Sequence, residues 1–315
     1  MAPEPIIRLT FPEPDRAALQ EALIKRVEDN PDEILKKYEQ HPDSHSGRYV
    51  NSDLMKEMFP EYAESKETRA RYNAVVQRSA AVLTAEQWKR VMADPTREGD
   101  KALFLTGIPG AGKTSLIKNK EGGLPSDAKA VYEGQLADAE FAIPKVQAAL
   151  DAGLKPVIVA VHTPPERALE NTFTRFNEKG RGAGINNMAH IQGNLPTGLA
   201  AIRERFGDKV SLRVVDKTDE KQVKRKEGWE HLSMLQKEGD YGQIRQRLSD
   251  YLEHAYKAGS ISDACYDQAC GRPPRDRQMA RQGDSERQQD GRGRGIQKGS
   301  SENGLVIKNG GDRER

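Results

Sequence analysis

At 315 residues the chain can bury one large core or two modest ones, which excludes a peptide hormone or a small stapled scaffold. Its 50 basic and 48 acidic residues leave a formal charge of +2, so the average field is weak and only local patches could attract nucleic acid. Two cysteines without a CxxC pair, an opening (MAPEPIIRLTFPEPD) without the basic head and apolar run of a secretory leader, and no stretch of roughly twenty apolar residues together predict a soluble protein of a reduced cytoplasm, clear of membranes.

Residues 1–48 read as a helical region. Leu19, Leu23, Ile24, Val27, Ile34 and Leu35 recur at helical spacing between charges, and Asn30-Pro31 divides two helices. From Tyr49, the stretch YVNSDLMKEMFPEY gives a very short strand, an acidic residue at its end and a helix that Pro60 interrupts. Residues 67–92, with Val75, Val76, Ala80, Val82, Leu83, Trp88 and Val91, read as a long helix or two. The loop from Asp94-Pro95 then leads to a short buried strand, LFLT at 103–106.

At 107–115 the chain reads GIPGAGKTS and matches GxxxxGKT, a loop that cradles phosphates. Glycines let the backbone curl so that consecutive N–H groups point inward, and a Cβ would keep a phosphate at a distance. Gly107, Ile108, Pro109, Gly110, Ala111, Gly112, Lys113, Thr114 and Ser115 are the expected cradle for ATP. Lys113 would reach the β- and γ-phosphates as a point charge, and the Thr114 hydroxyl would take Mg²⁺. A helix opening at Lys113 would add its positive N-terminal dipole. A Gly-Pro turn before an ordinary helix is the bland alternative; it does not require agreement at four fixed positions between a strand and a helix.

Apolar, β-branched runs follow at 128–134 (AKAVYEG), 156–163 (PVIVAVHT) and 210–217 (VSLRVVDK), with a helical stretch at 137–152 between the first two. This alternation predicts an α/β fold, the doubly wound, mainly parallel sheet of a P-loop NTPase, over residues 49–220. A charged helical pattern returns at 221–258, within a C-terminal helical region spanning 221–270, with Trp229, Leu232, Leu235, Ile244, Leu248 and Leu252. After Gly271 the composition turns to Arg, Gln, Gly, Asp and Ser, and 271–315 reads as a disordered tail. Its arginines could touch nucleic acid, but interleaved acids dilute them and no aromatics offer a stacking surface, so a solvated tail is the favoured reading.

The segment 168–202, ALENTFTRFNEKGRGAGINNMAHIQGNLPTGLAAI, offers Arg175 on a helix and Arg181 in a glycine-bearing turn. Two such arginines after a parallel strand suit a lid that closes over a triphosphate and spreads positive charge across the transferring phosphoryl group, as in small-molecule kinases. Solvation of a helix surface is the competing role.

Here the chain resembles the zeta-toxin family of P-loop kinases, whose described members phosphorylate UDP-N-acetylglucosamine on a sugar hydroxyl. The likeness lies in GIPGAGKTSL at 107–116, VYEG at 131–134, and TRFNEKGRG followed by AHIQGNLPTGLAAI at 189–202. In the last and most specific stretch, Arg175, Arg181, His190 and NLPT at 194–197 match the family's order. The resemblance covers 100–220 and implies ATP and Mg²⁺ as cofactors and a small acceptor such as a nucleotide-sugar. If the acceptor is a cell-wall precursor, it further implies a toxin and a neutralising antitoxin protein.

One departure concerns the catalytic acid, which the family places in an Asn-x-Asp motif after the phosphate loop. Here the span after Thr114 is too short for that unit, and Asn51, Asp53 and Lys56 stand in the expected arrangement before the loop. A strand's place in a sheet does not depend on its place in the chain, so Asp53 is expected at the same sheet end as the general base. Capping the helix LMKEMF is its alternative role, and the two can coexist. Glu133 ends its strand facing the ligand crevice, where an acid holds Mg²⁺ through water or binds a substrate hydroxyl; the resemblance favours substrate contact, and pairing with a sheet-edge lysine is the alternative. Asp138 is a spare acid, and His162 and His190 read as structural hydrogen-bonding residues.

The leading function is thus an ATP-dependent phosphotransferase with Asp53 as base and Lys113, Arg175 and Arg181 stabilising charge. The alternative is an ATP-binding protein of a nucleic-acid or plasmid-transfer system without small-molecule kinase activity, although no Asp-Glu pair ends a strand as a motor would need. A nucleotide-binding fold without turnover is a third reading.

Overall fold

In the computed structural model, which describes residues 5–117, 123–219 and 221–272, the apolar runs become strands of one sheet. The sheet consists of Tyr49–Asn51 (β1), Lys101–Thr106 (β2), Ala128–Glu133 (β3), Lys155–His162 (β4), Ser211–Asp216 (β5) and a further, polar strand, Lys224–Glu227 (β6). Their spatial order is β1-β3-β2-β4-β5-β6. All neighbours pair in parallel except β5 and β6. This is a doubly wound, mainly parallel α/β sheet, as the alternation of strands and helices predicts: the carboxyl ends of β1, β3, β2 and β4 share one edge, and the glycine-rich loop leaves β2 there.

The helices are α1 (Pro14–Asp29), α2 (Pro31–Gln40), α3 (Ser52–Lys56), α4 (Pro60–Ala63), α5 (Lys66–Ala93), α6 (Thr114–Ile117), α7 (Ala139–Asp151), α8 (Pro165–Lys179), α9 (Ile185–Phe206), α10 (Leu232–Gln236), α11 (Tyr241–Lys257) and α12 (Asp263–Ala269). Prolines open α1, α2, α4 and α8, where the missing N–H is lost from a position without an intrahelical partner. The long apolar stretch after residue 65 is a single helix of 28 residues, started by a capping box in which Ser65 and Thr68 satisfy each other's backbone N–H groups. None of the described helices is long and apolar enough to cross a membrane.

Strand alternation divides the core between the two sheet faces. On one face Leu103, Leu105, Val131, Val157 and Val161 pack with Ala168, Leu169 and Phe173 of α8, the start of α9, and α11 and α12. On the other Ala102, Phe104, Ala130, Ile158 and Ala160 pack with the end of α5, α7 and the later turns of α9. A third cluster joins α1 and α2 to α3, α4 and the part of α5 up to Leu83 through Leu23, Ile24, Leu35, Tyr38, Met55, Phe59, Tyr62, Val76 and Leu83.

One element corrects the sequence reading. Residues 224–227 (KRKE), taken as part of a charged helical pattern, form the antiparallel edge strand β6, in register from Arg213↔Glu227 to Asp216↔Lys224. Main-chain pairing with the open edge of β5 fixes this strand, and its all-polar sequence leaves no period by which to recognise it. The tail expected at 271–315 lies, from residue 273 onward, outside the described residues.

Candidate active site

The phosphate-loop glycines sit in backbone states that a side chain would strain. Gly110 has φ +84, and a Cβ there would lie 2.0 Å from the Ala168 carbonyl oxygen; Gly107 has φ +140, and a Cβ there would lie 2.4 Å from the Val161 oxygen. The loop is braced from outside by the Asn171 amide, which donates to the Gly110 oxygen at 2.9 Å, and by the Thr163 hydroxyl, which donates to the Ala111 oxygen at 3.3 Å. Ser115 Oγ and Lys217 Nζ both donate to the Gly112 oxygen, at 2.8 and 3.0 Å.

Lys113 Nζ lies across the loop, donating to the Gly107 and Ile108 oxygens at 3.0 and 3.2 Å, and stands 3.9 Å from Glu133 Oε1. Burial lowers its pKa from the ordinary lysine value, opposed by the charges of Glu133 and Asp53. Glu133 ends β3 level with Leu105 of β2 and Asn51 of β1. Its Oε2 accepts from the Thr114 hydroxyl at 3.3 Å and from the Tyr49 hydroxyl.

Asp53 lies two residues beyond β1, whose edge position beside β3 brings it to the same end of the sheet. The cap of α3 is Asn51, whose Oδ1 accepts from the Leu54 N–H at 3.0 Å. The Asp53 carboxylate meets cations instead: Arg175 Nη2 donates to Oδ2 at 2.6 Å and Lys56 Nζ to Oδ1 at 3.2 Å. Arg181 Nη1 donates to the Asp53 carbonyl at 3.3 Å and lies 3.4 Å from Glu57 Oε1. The crowding that desolvates Asp53 would raise its pKa, but the charges of Lys56, Arg175 and Arg181 outweigh it and hold the carboxyl well below the usual range. With 43% of its side chain open, the group remains reachable from solvent.

Lys113, Thr114, Glu133, Asp53, Arg175 and Arg181, drawn from segments far apart in sequence, are thus linked by contacts or mutual charge. Thr114 Oγ1 and Glu133 Oε2, 3.3 Å apart, are hard oxygens of the kind Mg²⁺ accepts, and no group of three or more His, Cys, Asp or Glu among the described residues could form a metal cage. That donor set fits an ion which keeps most of its waters and takes substrate phosphates.

Outside this cluster, Asp138 Oδ1 lies 3.1 Å from His190 Nε2, and the Asn194 amide lies 3.0 Å from His190 Nδ1. His162 is buried, with Nε2 3.3 Å from Glu238 Oε1. Sequence reasoning missed Tyr49, Thr163, Asn171 and Lys217, and also Asn73 of α5, whose Oδ1 accepts from Lys56 Nζ at 2.9 Å. Tyr49 was open to inference, being two positions before Asn51 on one strand face; the others are placed by neighbours distant in sequence. Ala111, Gly112, Thr163, Arg167, Asn171, Lys217 and Val223 line a cavity of about 240 Å³ beside the loop.

No protein-family model and no curated protein sequence matches the chain. Among solved structures, one from the PezAT chromosomal toxin-antitoxin system of Streptococcus pneumoniae aligns at 10% identity and TM-score 0.38, over 79% of this chain and 100% of that one. A second, from the AvrRxo1-ORF1:-ORF2 complex, aligns at 11% identity and TM-score 0.40, over 82% of this chain and 89% of that one.

Proposed function

We propose that the chain is a phosphotransferase that moves the γ-phosphate of ATP to a hydroxyl of a small polar acceptor. The observation that carries this reading is the Asp53–Arg175 pair at 2.6 Å, a carboxylate and a partly exposed positive charge within electrostatic reach of Lys113 of the glycine-rich loop. The loop's N–H groups and Lys113 hold the β- and γ-phosphates, and the cavity lined by Thr163, Arg167, Asn171 and Lys217 takes the nucleoside end. The chemistry that Mg²⁺ supplies beside Thr114 and Glu133 is neutralisation of charge on the phosphate oxygens.

Asp53 accepts the acceptor's hydroxyl proton as that oxygen bonds to the γ-phosphorus and the bond to the β-bridging oxygen breaks; ADP leaves and the proton passes from Asp53 to solvent. Arg175 turns from Asp53 to the γ-phosphate, and Arg181 supports it from the loop after α8. The sequence resemblance supports a nucleotide-sugar such as UDP-N-acetylglucosamine as acceptor, and with it a toxin restrained by an antitoxin protein.

Incubation with labelled ATP and a panel of nucleotide-sugars and nucleotide cofactors, followed by mass analysis, tests the reading. A phosphorylated acceptor formed in step with ADP is expected, and ATP turnover with no labelled acceptor refutes it. Asp53→Asn should lower kcat about a hundredfold to ten-thousandfold with ATP affinity retained. Lys113→Ala should cost about a hundredfold or more in kcat without unfolding the chain.

A further inference from the structure

We propose that Lys56 and Asn73 are positioning residues for Asp53, so that the N-terminal helical layer is a working part of the active site; this rests on the kinase reading of Asp53. Lys56 is only 3% exposed, an unusual place for a lysine, which is seldom buried unless paired. Its ammonium donates to Asp53 Oδ1 at 3.2 Å and to Asn73 Oδ1 at 2.9 Å. Asn73 belongs to α5, and its helix neighbours Val75 and Val76 are buried in the cluster formed with α1 and α2. Packing in that layer therefore fixes the amide, the amide fixes the ammonium, and the ammonium fixes one oxygen of the carboxylate.

The two oxygens of Asp53 are held unequally. Oδ1 has a buried cation with a second anchor, whereas Oδ2 has Arg175, whose side chain is 33% exposed and whose guanidinium a triphosphate would attract. When Arg175 leaves, Lys56 keeps the carboxylate oriented and ionised, and Oδ2 is the oxygen presented to the acceptor hydroxyl. The charged and titratable groups facing Asp53 are Lys56 from α3, Arg175 from α8, Arg181 from the following loop, Lys113 from the phosphate loop and Tyr62 from α4. Burial lowers the pKa of Lys56 and Asp53 raises it, as expected of a cation kept in place by its partner.

The test uses the full chain with Lys56→Gln and Asn73→Leu, and two measurements. Carbon NMR titration of the Asp53 carboxyl, assigned by Asp53→Asn and run in an Arg175→Ala background to bring the midpoint into range, should show Lys56→Gln raising that midpoint by about one pH unit or more. In the otherwise natural chain, Lys56→Gln should lower kcat about tenfold or more while KM for ATP changes less than about twofold. An unmoved midpoint, or a moved midpoint with unchanged kcat, overturns the proposal. Asn73→Leu alters no charge and serves if Lys56→Gln does not fold; full kcat in that variant overturns the part assigned to the N-terminal layer. Failure of the kinase reading shows separately, as a natural chain that labels no acceptor while the Asp53 midpoint still responds to Lys56.

Discussion

Asn51, the last residue of β1, and Asp53, two residues on, divide work that either side chain type could do. Both types cap helices well, but only a carboxylate answers the charges of Lys56 and Arg175, so the neutral amide takes the Leu54 N–H and the acid faces the cations. The phosphate-loop residues were legible because their backbone geometry demands particular letters, glycine above all. At Gly110 the demand is double, a positive φ and the Ala168 oxygen where a Cβ would stand. Gly110→Ala should therefore cost about 1–3 kcal/mol and weaken nucleotide binding, as a thermal melt with and without ATP would measure. Asn73 carried no such signal, since an asparagine on a helix is ordinary until Lys56 is placed against it.

Helix α5 shows how one element serves two layers. The part up to Leu83 is buried among α1 and α2, and its last turns put Trp88, Val91 and Met92 against the sheet. Trp88 meets Phe104 and Tyr132 edge-on, at 5.2 and 5.5 Å between centroids, and its indole N–H donates to the Lys145 carbonyl at 3.2 Å. Trp88→Ala should cost about 3–5 kcal/mol in urea unfolding, and a loss below about 1 kcal/mol would mean the contact is not a support of the sheet. The existence of α5 was readable from apolar spacing, but its double burial blurs a single apolar stripe, and hence one helix or two remained open until packing decided. At β6 the sequence misled, because an all-polar edge strand is defined by its partner's free N–H and C=O groups.

At the scale of the whole molecule, buried tyrosines tie the layers together and set an alkaline limit. Tyr38 of α2 donates to the Tyr49 carbonyl at 2.6 Å and accepts from the Asn51 N–H at 3.0 Å, linking the N-terminal layer to the edge of the sheet. Burial pushes the Tyr62 and Tyr132 hydroxyls up to about 12, and those of Tyr38 and Tyr49 higher still. Here the neutral, protonated form is the one the fold favours. The stabilisation is complete below the ordinary tyrosine value of 10.0 and is lost as pH rises towards about 12. Ultraviolet titration should show these tyrosines silent near pH 10 and ionising together with unfolding; independent ionisation at pH 10 in a folded chain would contradict their burial.

The sequence alone determined the phosphate loop, the alternation of strands and helices, and the acids and arginines worth watching, because each depends on local backbone geometry or periodic burial. Tertiary structure decided which of them meet. Strand order is a property of pairing in space, so only the fold could set β1 beside β3 and carry Asp53 from before the loop to face Arg175 from well after it. Only the fold, too, could reveal that Asn73 of α5 anchors the lysine beside that carboxylate, since buried charge is satisfied by proximity, and proximity between separate helices leaves no trace in spacing.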